Sequence, residues 1–573
     1  MPMRTWTPCA VAVLIVAGLA GCTSGEDDEK PPLPSRPFID GDLAAAAPFT
    51  VFLCRNGYAT ADRLVGPVDR CNHRVTLPLQ DRGRFDWTGQ HGPANEVSVA
   101  VDPLDPLHAI GGAKDYSVSY LSDVADCGEY TVWMGAFATF DGGLTWTNDL
   151  VPGFPGDPRD SPLRGNTCNT DPVMAFDDDG TAWFHALNYD GGREDSPVPI
   201  VNPLGTHDLY TGSQLYFAKS PDGGRTYPGD QITFASFGDD QAVFNDKNWF
   251  ALQPGGDHMI ATWSNFIADP LLGLVGGPVI MFTESQDGGA TWSVPQQVPG
   301  GTAANTLSVQ FSMPQYLPGG DTVAVIWADF AQSGVRGGTG LSETAQVAYT
   351  EGAVTPGGTA FQPARQVFPM DPLKSGSGRD GTGPTAFRLS TYPVLAVDTS
   401  GGEHDGRRHV VWADQPGPLD SDVQVLLRWS DDGIAWSDPV TVNDVEAGDQ
   451  FMPWVDVDPD GGVHVAWYDR RNDPDNRLMD VYYAYSADGG ATFGPNVQVT
   501  EVPFDGDLGH HQNGGPFIGD YIGLDAASEA AYVFWADTRH AGEPGRERGS
   551  DVYSATILRD AGSRDVFDAV FAS

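Results

Sequence analysis

The stretch that decides the fold is Ser285-Gln286-Asp287-Gly288-Gly289-Ala290-Thr291-Trp292. The same pattern recurs at 139–146, 220–227 and 486–493, and a copy shortened by one residue lies at 430–436. In a hairpin turn of this kind, an aspartate accepts hydrogen bonds from the turn amides, glycines adopt positive φ, and the aromatic ring packs under the next strand. We therefore predict a structural and non-catalytic role for the aspartate of each copy: Asp141, Asp222, Asp287, Asp432 and Asp488.

A second repeat precedes each copy of this turn. An extended run, a polar turn and a second β-forming run end in an acidic or amide residue, as in Trp327-Ala328-Asp329. Seven such units lie between about Asn95 and Leu558, and the seventh stops after its third strand. Because closing a ring of blades removes the open sheet edge, we expect Arg74-Val75-Thr76-Leu77-Pro78 to supply the missing strand. The sequence predicts an all-β propeller over residues 93–573, with seven blades by repeat count and six as the alternative.

The turn pattern S-x-D-x-G-x-T-W resembles the Asp-box, or BNR, repeat of the sialidase superfamily. Five copies make this resemblance specific for the fold, and it extends over most of the chain. Asp-boxes also occur in propellers that are not sialidases, so the resemblance is less specific for activity. It implies an Asp-box β-propeller that acts as an exo-acting glycoside hydrolase on acidic or cell-wall glycans. The alternative is a non-catalytic propeller that binds a glycan or a protein at the same axial mouth.

The expected site is the axial mouth of the propeller. In a four-stranded blade the first strand lines the axis and the second returns antiparallel, so the start of strand one and the end of strand two share a face. The Asp-boxes, between strands three and four, lie on the opposite face. We expect seven candidate catalytic residues to converge at the mouth: Asp171, Asp246, Arg470, Arg471, Asp520, Tyr521 and Arg539.

The resemblance to sialidases also implies roles for these residues. A sialidase holds the substrate carboxylate with arginines, protonates the leaving oxygen with a carboxylic acid and attacks with a tyrosine. The residues of matching type are Arg470 or Arg471 with Arg539 for the carboxylate, Tyr521 for the attack, and Asp171 or Asp246 for the acid.

The chain departs from the family pattern in two ways. No Phe-Arg-Ile-Pro-like motif precedes the first box, and no glutamate stands out as the partner that would activate Tyr521. The alternative interpretation is structural. In it, the tryptophan of each Trp-x-Asp ending packs between blades and its aspartate caps a loop, while Arg470 and Arg539 neutralise neighbouring aspartates.

The N-terminal residues indicate export. Arg4 precedes an apolar run from Cys9 to Gly21, which is too short to span a bilayer as a mature helix. The run ends in Leu19-Ala20-Gly21-Cys22, which resembles the lipobox of bacterial lipoproteins. The resemblance implies a signal peptide over residues 1–21, lipidation of Cys22 and an anchor on the outer side of a bacterial membrane. The alternative is an ordinary secretory signal. Residues 22–48 are acidic and proline-rich and are expected to form a tether.

Cleavage of the signal peptide would remove Cys9 and lipidation would modify Cys22, so four of the six cysteines remain. An even number in an exported chain indicates two disulfides. Of the three possible pairings, the one with the shortest loops joins Cys54 to Cys71 and Cys127 to Cys168. A zinc site is less favoured because no pair shows C-x-x-C spacing. Residues 49–92 are thus expected to form a disulfide-bonded segment that carries the closing strand.

The charge of the chain restricts its partners. There are 32 Lys and Arg residues against 77 Asp and Glu residues, which gives a formal net charge of -45. Such a surface repels phosphate backbones and anionic headgroups, so we expect no nucleic acid partner and membrane contact only through the lipid anchor. We expect a monomer with a glycan ligand or substrate, no metal and no cofactor. The acidic stretches 177–179 and 456–460 lack the spacing of a Ca²⁺-binding EF-hand loop.

Overall fold

The computed structural model describes residues 38–40, 47–61, 70–76, 93–120, 132–190, 211–237, 243–269, 274–275, 278–302, 309–330, 345–373, 387, 389, 391–417, 421–512, 515–542, 548–560 and 562–571. The regular structure of these residues is almost entirely β-strand, as the alternating and turn-rich sequence predicts. Four short N-terminal strands come first: β1 (Phe38–Asp40), β2 (Val51–Cys54), β3 (Gly57–Thr60) and β4 (His73–Arg74).

Three sheets follow, each with its strands hydrogen-bonded in chain order. Blade 1 contains β5 (Ala94–Asp102), β6 (Asp105–Asp115), β7 (Trp133–Thr139) and β8 (Thr147–Leu150). Blade 2 contains β9 (Cys168–Phe176), β10 (Ala182–Asp190), β11 (Thr211–Ser220) and β12 (Ile232–Phe237). Blade 3 contains β13 (Val243–Leu252), β14 (Met259–Asp269), the side strand β15 (Leu274–Val275), β16 (Val279–Ser285) and β17 (Gln296–Thr302).

Blades 4 to 6 repeat this arrangement. Blade 4 contains β18 (Val309–Tyr316), β19 (Thr322–Asp329), β20 (Ala345–Ala353), β21 (Ala360–Phe361) and β22 (Arg365–Met370). Blade 5 contains β23 (Val394–Val397), β24 (Arg408–Asp414), β25 (Gln424–Ser430) and β26 (Val440–Thr441). Blade 6 contains β27 (Gln450–Val457), β28 (Val463–Asp469), β29 (Leu478–Ser486), β30 (Val497–Gln498) and the side strand β31 (Phe504–Asp505).

The last elements complete the ring. A small hairpin comes first, with β32 (His510–Gln512) and β33 (Gly515–Phe517), and blade 7 follows with β34 (Gly523–Ala526), β35 (Ala530–Asp537) and β36 (Asp551–Leu558). The helical pieces of the described residues are α1 (Arg564–Phe567) and 3-10 turns at Ser117–Tyr120, Gly229–Gln231, Gly506–Leu508 and Asp568–Phe571. Within the described part of the chain, none of these helices has the length and apolar character needed to cross a bilayer.

The first strands of the blades form a closed ring of contacts. Strand β5 contacts β9, and the contacts continue through β13, β18, β23 and β27 to β34, which contacts β5 again. This order fixes the number of blades at seven and confirms the repeat count over the alternative of six. The core lies between the blades, where tryptophans at the ends of the second strands are fully buried, among them Trp327, Trp467 and Trp535.

The N-terminal segment closes the ring through two pieces of chain. Arg74 of β4 pairs with the middle of β36, and the backbone N–H of Val75 donates to the Val552 carbonyl at 2.8 Å, so the predicted segment does bond to the last strand. The completely buried β2 adds a second contact that was not predicted, through Val51 and Phe52 at the C-terminal end of β36. Residues 77–92 lie outside the described residues.

The disulfide expected in this segment is present. Cys54 and Cys71 are joined, so the two pieces of chain that pair with β36 are linked covalently. Cys168 is also disulfide-bonded. Its predicted partner, Cys127, lies outside the described residues.

The Asp-boxes are turns held by their own aspartates. The backbone N–H and the hydroxyl of Thr291 donate to the Asp287 carboxylate at 2.8 and 2.6 Å, and the Ser285 hydroxyl donates to it at 2.8 Å. Gly288 and Gly289 have φ of 64° and 78°, a conformation that side chains with a Cβ rarely adopt. The aspartates of the other boxes accept corresponding bonds: Asp141, Asp222, Asp432 and Asp488.

Each box is also tied to the blade that precedes it around the ring. A glycine carbonyl of the box accepts a hydrogen bond from that blade in all five cases. The pairs are Thr556 with Gly142, His108 with Gly223, Thr233 with Gly289, Arg365 with Gly433 and His409 with Gly489. The boxes therefore hold neighbouring blades together.

We predict that Trp146→Ala lowers the free energy of unfolding by about 3–5 kcal/mol, the usual cost of removing a buried aromatic ring. The Trp146 side chain lies at the seam between blades 1 and 7, packs edge-on against Phe534, and donates its indole N–H to the Ser554 hydroxyl at 3.1 Å. Chemical denaturation measures the loss. Trp292→Ala is the matched control, because Trp292 fills the same box position but is half-buried. Equal and small losses in both variants would contradict the assignment.

Candidate active site

The first strands of five blades carry a β-bulge near their start. In β5, β9, β13, β18 and β27 the register against the second strand shifts there. One residue of each bulge has positive φ although none is glycine: Glu96 (51°), Asp171 (56°), Lys247 (50°), Phe311 (62°) and Met452 (50°). Such conformations cost about 1–3 kcal/mol each and concentrate at functional sites. The strain therefore points to the axial mouth, where the first strands begin.

Three of the bulge residues meet in a buried ionic cluster. The Lys247 Nζ atom lies 2.9 Å from Asp520, 3.3 Å from Asp171 and 3.6 Å from Glu96. The Lys114 Nζ atom lies 3.3 Å from the other oxygen of Glu96. Buried charges require partners of this kind, because an unpaired buried ion is very costly. Lys247 of blade 3 thus connects carboxylates from blades 1 and 2 and from the segment before blade 7.

The cluster gives two of its carboxyl groups opposite pKa shifts. Burial acts to raise the pKa of Asp171, but Lys247 and Lys114 outweigh it and hold that pKa below its usual value. Burial, followed by the charge of Asp171, raises the pKa of Asp246 to about 7. Asp246 precedes Lys247 in β13 and remains half-buried. The site therefore holds an ionised carboxylate, Asp171, beside a carboxyl group, Asp246, whose pKa is raised towards neutrality.

Tyr521 stands beside this cluster with a protonated hydroxyl. Its side chain is 7% exposed, and its hydroxyl has no hydrogen-bond partner among the described residues. The Lys247 Nζ atom lies 5.1 Å from the centre of its ring. Burial, followed by the charges of Asp171 and Glu96, raises the pKa of Tyr521 well above its usual value. The hydroxyl is thus available to donate a hydrogen bond to a ligand.

An aromatic cavity opens next to the cluster. Its volume is about 40 Å³, room for a few water molecules or one edge of a sugar ring. The aromatic side chains that line it are Trp249, Phe311, Tyr392, Trp454 and Tyr521. Trp249 of blade 3 and Trp454 of blade 6 meet across the axis with ring centres 5.0 Å apart. Each tryptophan follows the positive-φ residue of its own strand by two positions and therefore lies deeper along the axis. The two rings form the floor of the mouth.

Two of the predicted arginines pair with their own strand ends. The Arg471 guanidinium lies 2.7 Å from Asp469, and the Arg539 guanidinium lies 2.6 Å from Asp537. The aspartates in turn accept the indole N–H of the tryptophan two residues earlier in each Trp-x-Asp ending. Local ion pairs thus engage both arginines, and their convergence with Tyr521 on a substrate carboxylate stays a prediction. The structural interpretation of Arg539 agrees with these contacts.

The third predicted arginine, Arg470, has a side chain with no exposed surface. Its guanidinium lies over the rings of Phe387 and Phe451, and one of its nitrogens is 3.6 Å from Asp449. A fully covered guanidinium cannot reach a ligand carboxylate in this structure. The cations that contact Glu96, Asp171 and Asp520 among the described residues are Lys114 and Lys247.

Four of the candidate residues lie together at the mouth. Asp171, Asp520 and Tyr521 meet at Lys247, and Asp246 is adjacent. The same strand geometry predicts Glu96, Lys114 and Lys247 on this face, although they are not among the seven candidate catalytic residues. Sequence reasoning missed Trp249 and Trp454.

The described residues form a closed ring of seven β-blades, and five of these blades carry an Asp-box turn on the face opposite the ionic cluster. The chain is an Asp-box β-propeller. No protein-family model and no curated protein matches its sequence. Within the described part of this propeller, no group of three or more histidine, cysteine, aspartate or glutamate residues is placed to hold a metal ion.

Solved structures similar to this propeller include a protein of unknown function from Dyadobacter fermentans DSM 18053, at 11% identity and a TM-score of 0.40 over 85% of this chain and 98% of that one. The NanB sialidase from Streptococcus pneumoniae has 10% identity and a TM-score of 0.37 over 87% of this chain and 72% of that one. An α-L-arabinanase from Penicillium chrysogenum, solved with arabinobiose, has 13% identity and a TM-score of 0.34 over 67% of this chain and 92% of that one.

Proposed function

We propose that this propeller is a glycoside hydrolase that acts at its axial mouth. The observation that supports this function is the pair of aspartates with pKa values shifted in opposite directions, Asp171 below its usual value and Asp246 to about 7. Glycoside hydrolysis needs one carboxylic acid that still carries its proton and one carboxylate that is ionised. Neighbouring groups whose environments separate their pKa values are the usual sign of such an acid–base pair.

Asp246 is the acid in this proposal. Its carboxyl group protonates the oxygen of the leaving group, and its side chain is only half-buried. Asp171 is the ionised partner and acts either as the base that activates water or as the nucleophile. Lys247 holds Asp171 in its charged form through a 3.3 Å contact and a backbone hydrogen bond of 3.1 Å. Both roles of Asp171 are compatible with an ionised carboxylate.

The shape of the mouth supports exo action. In this proposal Trp249 and Trp454, whose ring centres lie 5.0 Å apart, form the floor of the mouth, and a glycan enters from the opposite side. Aromatic ring faces of this kind stack on the apolar face of a sugar. The unpartnered hydroxyl of Tyr521 donates a hydrogen bond to the bound sugar. This role replaces the nucleophilic one implied by the resemblance, because a phenol with a raised pKa attacks poorly without a base.

A non-catalytic glycan-binding propeller is the second candidate. One observation favours it: the carboxylates Glu96, Asp171 and Asp520 are already paired with lysines in the structure. A binding module would use the same aromatic floor and the same Tyr521 hydroxyl, and it would have no turnover.

We predict that Asp246→Asn lowers kcat by about 100- to 10,000-fold, the contribution expected of a general acid. The amide keeps the shape of the side chain but carries no proton that it can transfer. The measurement is hydrolysis by the purified protein of a panel of 4-methylumbelliferyl glycosides.

The matched control for this variant is Asp329→Asn. Asp329 ends the second strand of blade 4, and its carboxylate accepts a hydrogen bond from Gln366 at 3.0 Å. Activity should survive that change. Equal activity of Asp246→Asn and the wild type would refute the acid assignment, and glycan binding without turnover of any substrate would support the binding module instead.

We propose further that the propeller is anchored outside a bacterial cell through lipid on Cys22, which lies outside the described residues. The support is the sequence Leu19-Ala20-Gly21-Cys22 after an apolar run. We predict that a Cys22→Ser protein leaves the membrane fraction and is found in the medium, or keeps its signal peptide. Unchanged membrane fractionation would contradict the anchor.

A further inference from the structure

The cations of the proposed active site are already engaged with carboxylates of this chain. Lys247 contacts three of them, at 2.9, 3.3 and 3.6 Å, and Lys114 contacts Glu96 at 3.3 Å. The two lysine side chains are only 10% and 6% exposed. An acidic sugar would have to take one of these ammonium groups away from buried carboxylates, which would leave them without compensation.

The mouth also disfavours additional negative charge. Burial raises the pKa of Glu96 even though two lysines oppose the shift. Burial, followed by Asp171, raises the pKa of Asp246 to about 7. Four carboxyl groups, Glu96, Asp171, Asp246 and Asp520, share this site with the two lysines. An environment that favours the neutral form of the protein's own carboxyl groups would disfavour a substrate carboxylate for the same reason.

The surface offered to a ligand is mainly aromatic, and the cation that also lines the cavity, Lys247, is already paired with carboxylates. Trp249, Phe311, Tyr392 and Trp454 line the cavity. Tyr521, whose buried hydroxyl lacks a partner among the described residues, also lines it. Ring faces and one hydroxyl donor suit the C–H face and a hydroxyl group of a sugar. They do not neutralise a carboxylate.

We infer that the axial mouth takes a terminal sugar without a charged group, a neutral pentose or hexose, and discriminates against sialic and uronic acids. This inference rests on the proposed hydrolase function and names the substrate class of that site. The resemblance implied acidic or cell-wall glycans as substrates, and this inference restricts the substrates to neutral glycans.

The first test compares hydrolysis of 4-methylumbelliferyl glycosides by the purified protein. The neutral substrates are the α-L-arabinofuranoside, β-D-xylopyranoside and β-D-galactopyranoside, and the acidic ones are the sialic acid ketoside and the β-D-glucuronide. We expect kcat/KM for at least one neutral substrate to exceed that of both acidic ones by about 100-fold, since like-charge contacts cost several kcal/mol. A higher value for either acidic substrate would overturn the inference.

A second test separates this inference from the hydrolase proposal. If the protein hydrolyses none of the glycosides, the hydrolase proposal is refuted. The binding measurements then show which class of sugar the mouth prefers. Binding is measured by tryptophan fluorescence, to which Trp249 and Trp454 contribute. The sugars are lactose, xylobiose and 3′-sialyllactose, and each is titrated into the wild type and into the Asp246→Asn variant. Tighter binding of a neutral sugar would sustain the inference. Tighter binding of 3′-sialyllactose than of lactose would overturn it.

A charge variant tests the physical reason. Glu96→Gln removes one carboxylate but keeps the shape of the side chain and an oxygen that accepts hydrogen bonds. We expect it to increase binding or turnover of the acidic probes relative to the neutral ones by about 10-fold, the effect of one nearby charge. An unchanged ratio between acidic and neutral probes would show that the charge of the cluster does not select the substrate.

Discussion

The contact of the Lys247 ammonium group with Asp171, Asp520 and Glu96 is the interaction on which the mouth of the propeller depends. These carboxylates come from different parts of the ring and would repel one another if buried without a cation. With Lys247 in place, they draw the first strands of blades 1, 2 and 3 and the start of blade 7 towards the axis. The ion pairs therefore organise both the shape of the site and its charge.

This arrangement requires strained backbone conformations. Glu96, Asp171 and Lys247 adopt positive φ within bulges, which brings their side chains into one cluster. The rest of the ring supplies the stability that such strain requires. Buried tryptophans fill the spaces between blades, and the five Asp-boxes on the other face connect neighbouring blades at five of the seven junctions. A rigid frame on one face thus supports a strained and highly charged mouth on the other.

The sequence was sufficient for the fold because its evidence is repetitive. Asp-boxes and Trp-x-Asp endings mark the turns of every blade, so blade number, closure by the N-terminal segment and the Cys54–Cys71 disulfide could be predicted. The residues of the site could be predicted from the sequence only in part. Strand direction put Asp171, Asp246, Asp520 and Tyr521 on the right face, but a bulge is a shift of register that leaves no mark in the residue pattern. An arginine in a local ion pair, such as Arg539 with Asp537, cannot be told from a ligand-binding arginine by sequence.

The most direct test of this account is a titration of the Asp246 carboxyl group in the protein without ligand. With ¹³C-labelled aspartate, its resonance can be assigned by its loss in Asp246→Asn and followed against pH. We predict a pKa near 7 in the wild type and a lower one in Asp171→Asn, because the charge of Asp171 raises it. An ordinary value of about 4, unchanged by the loss of the Asp171 charge, would contradict the assignment of these two residues as an acid–base pair.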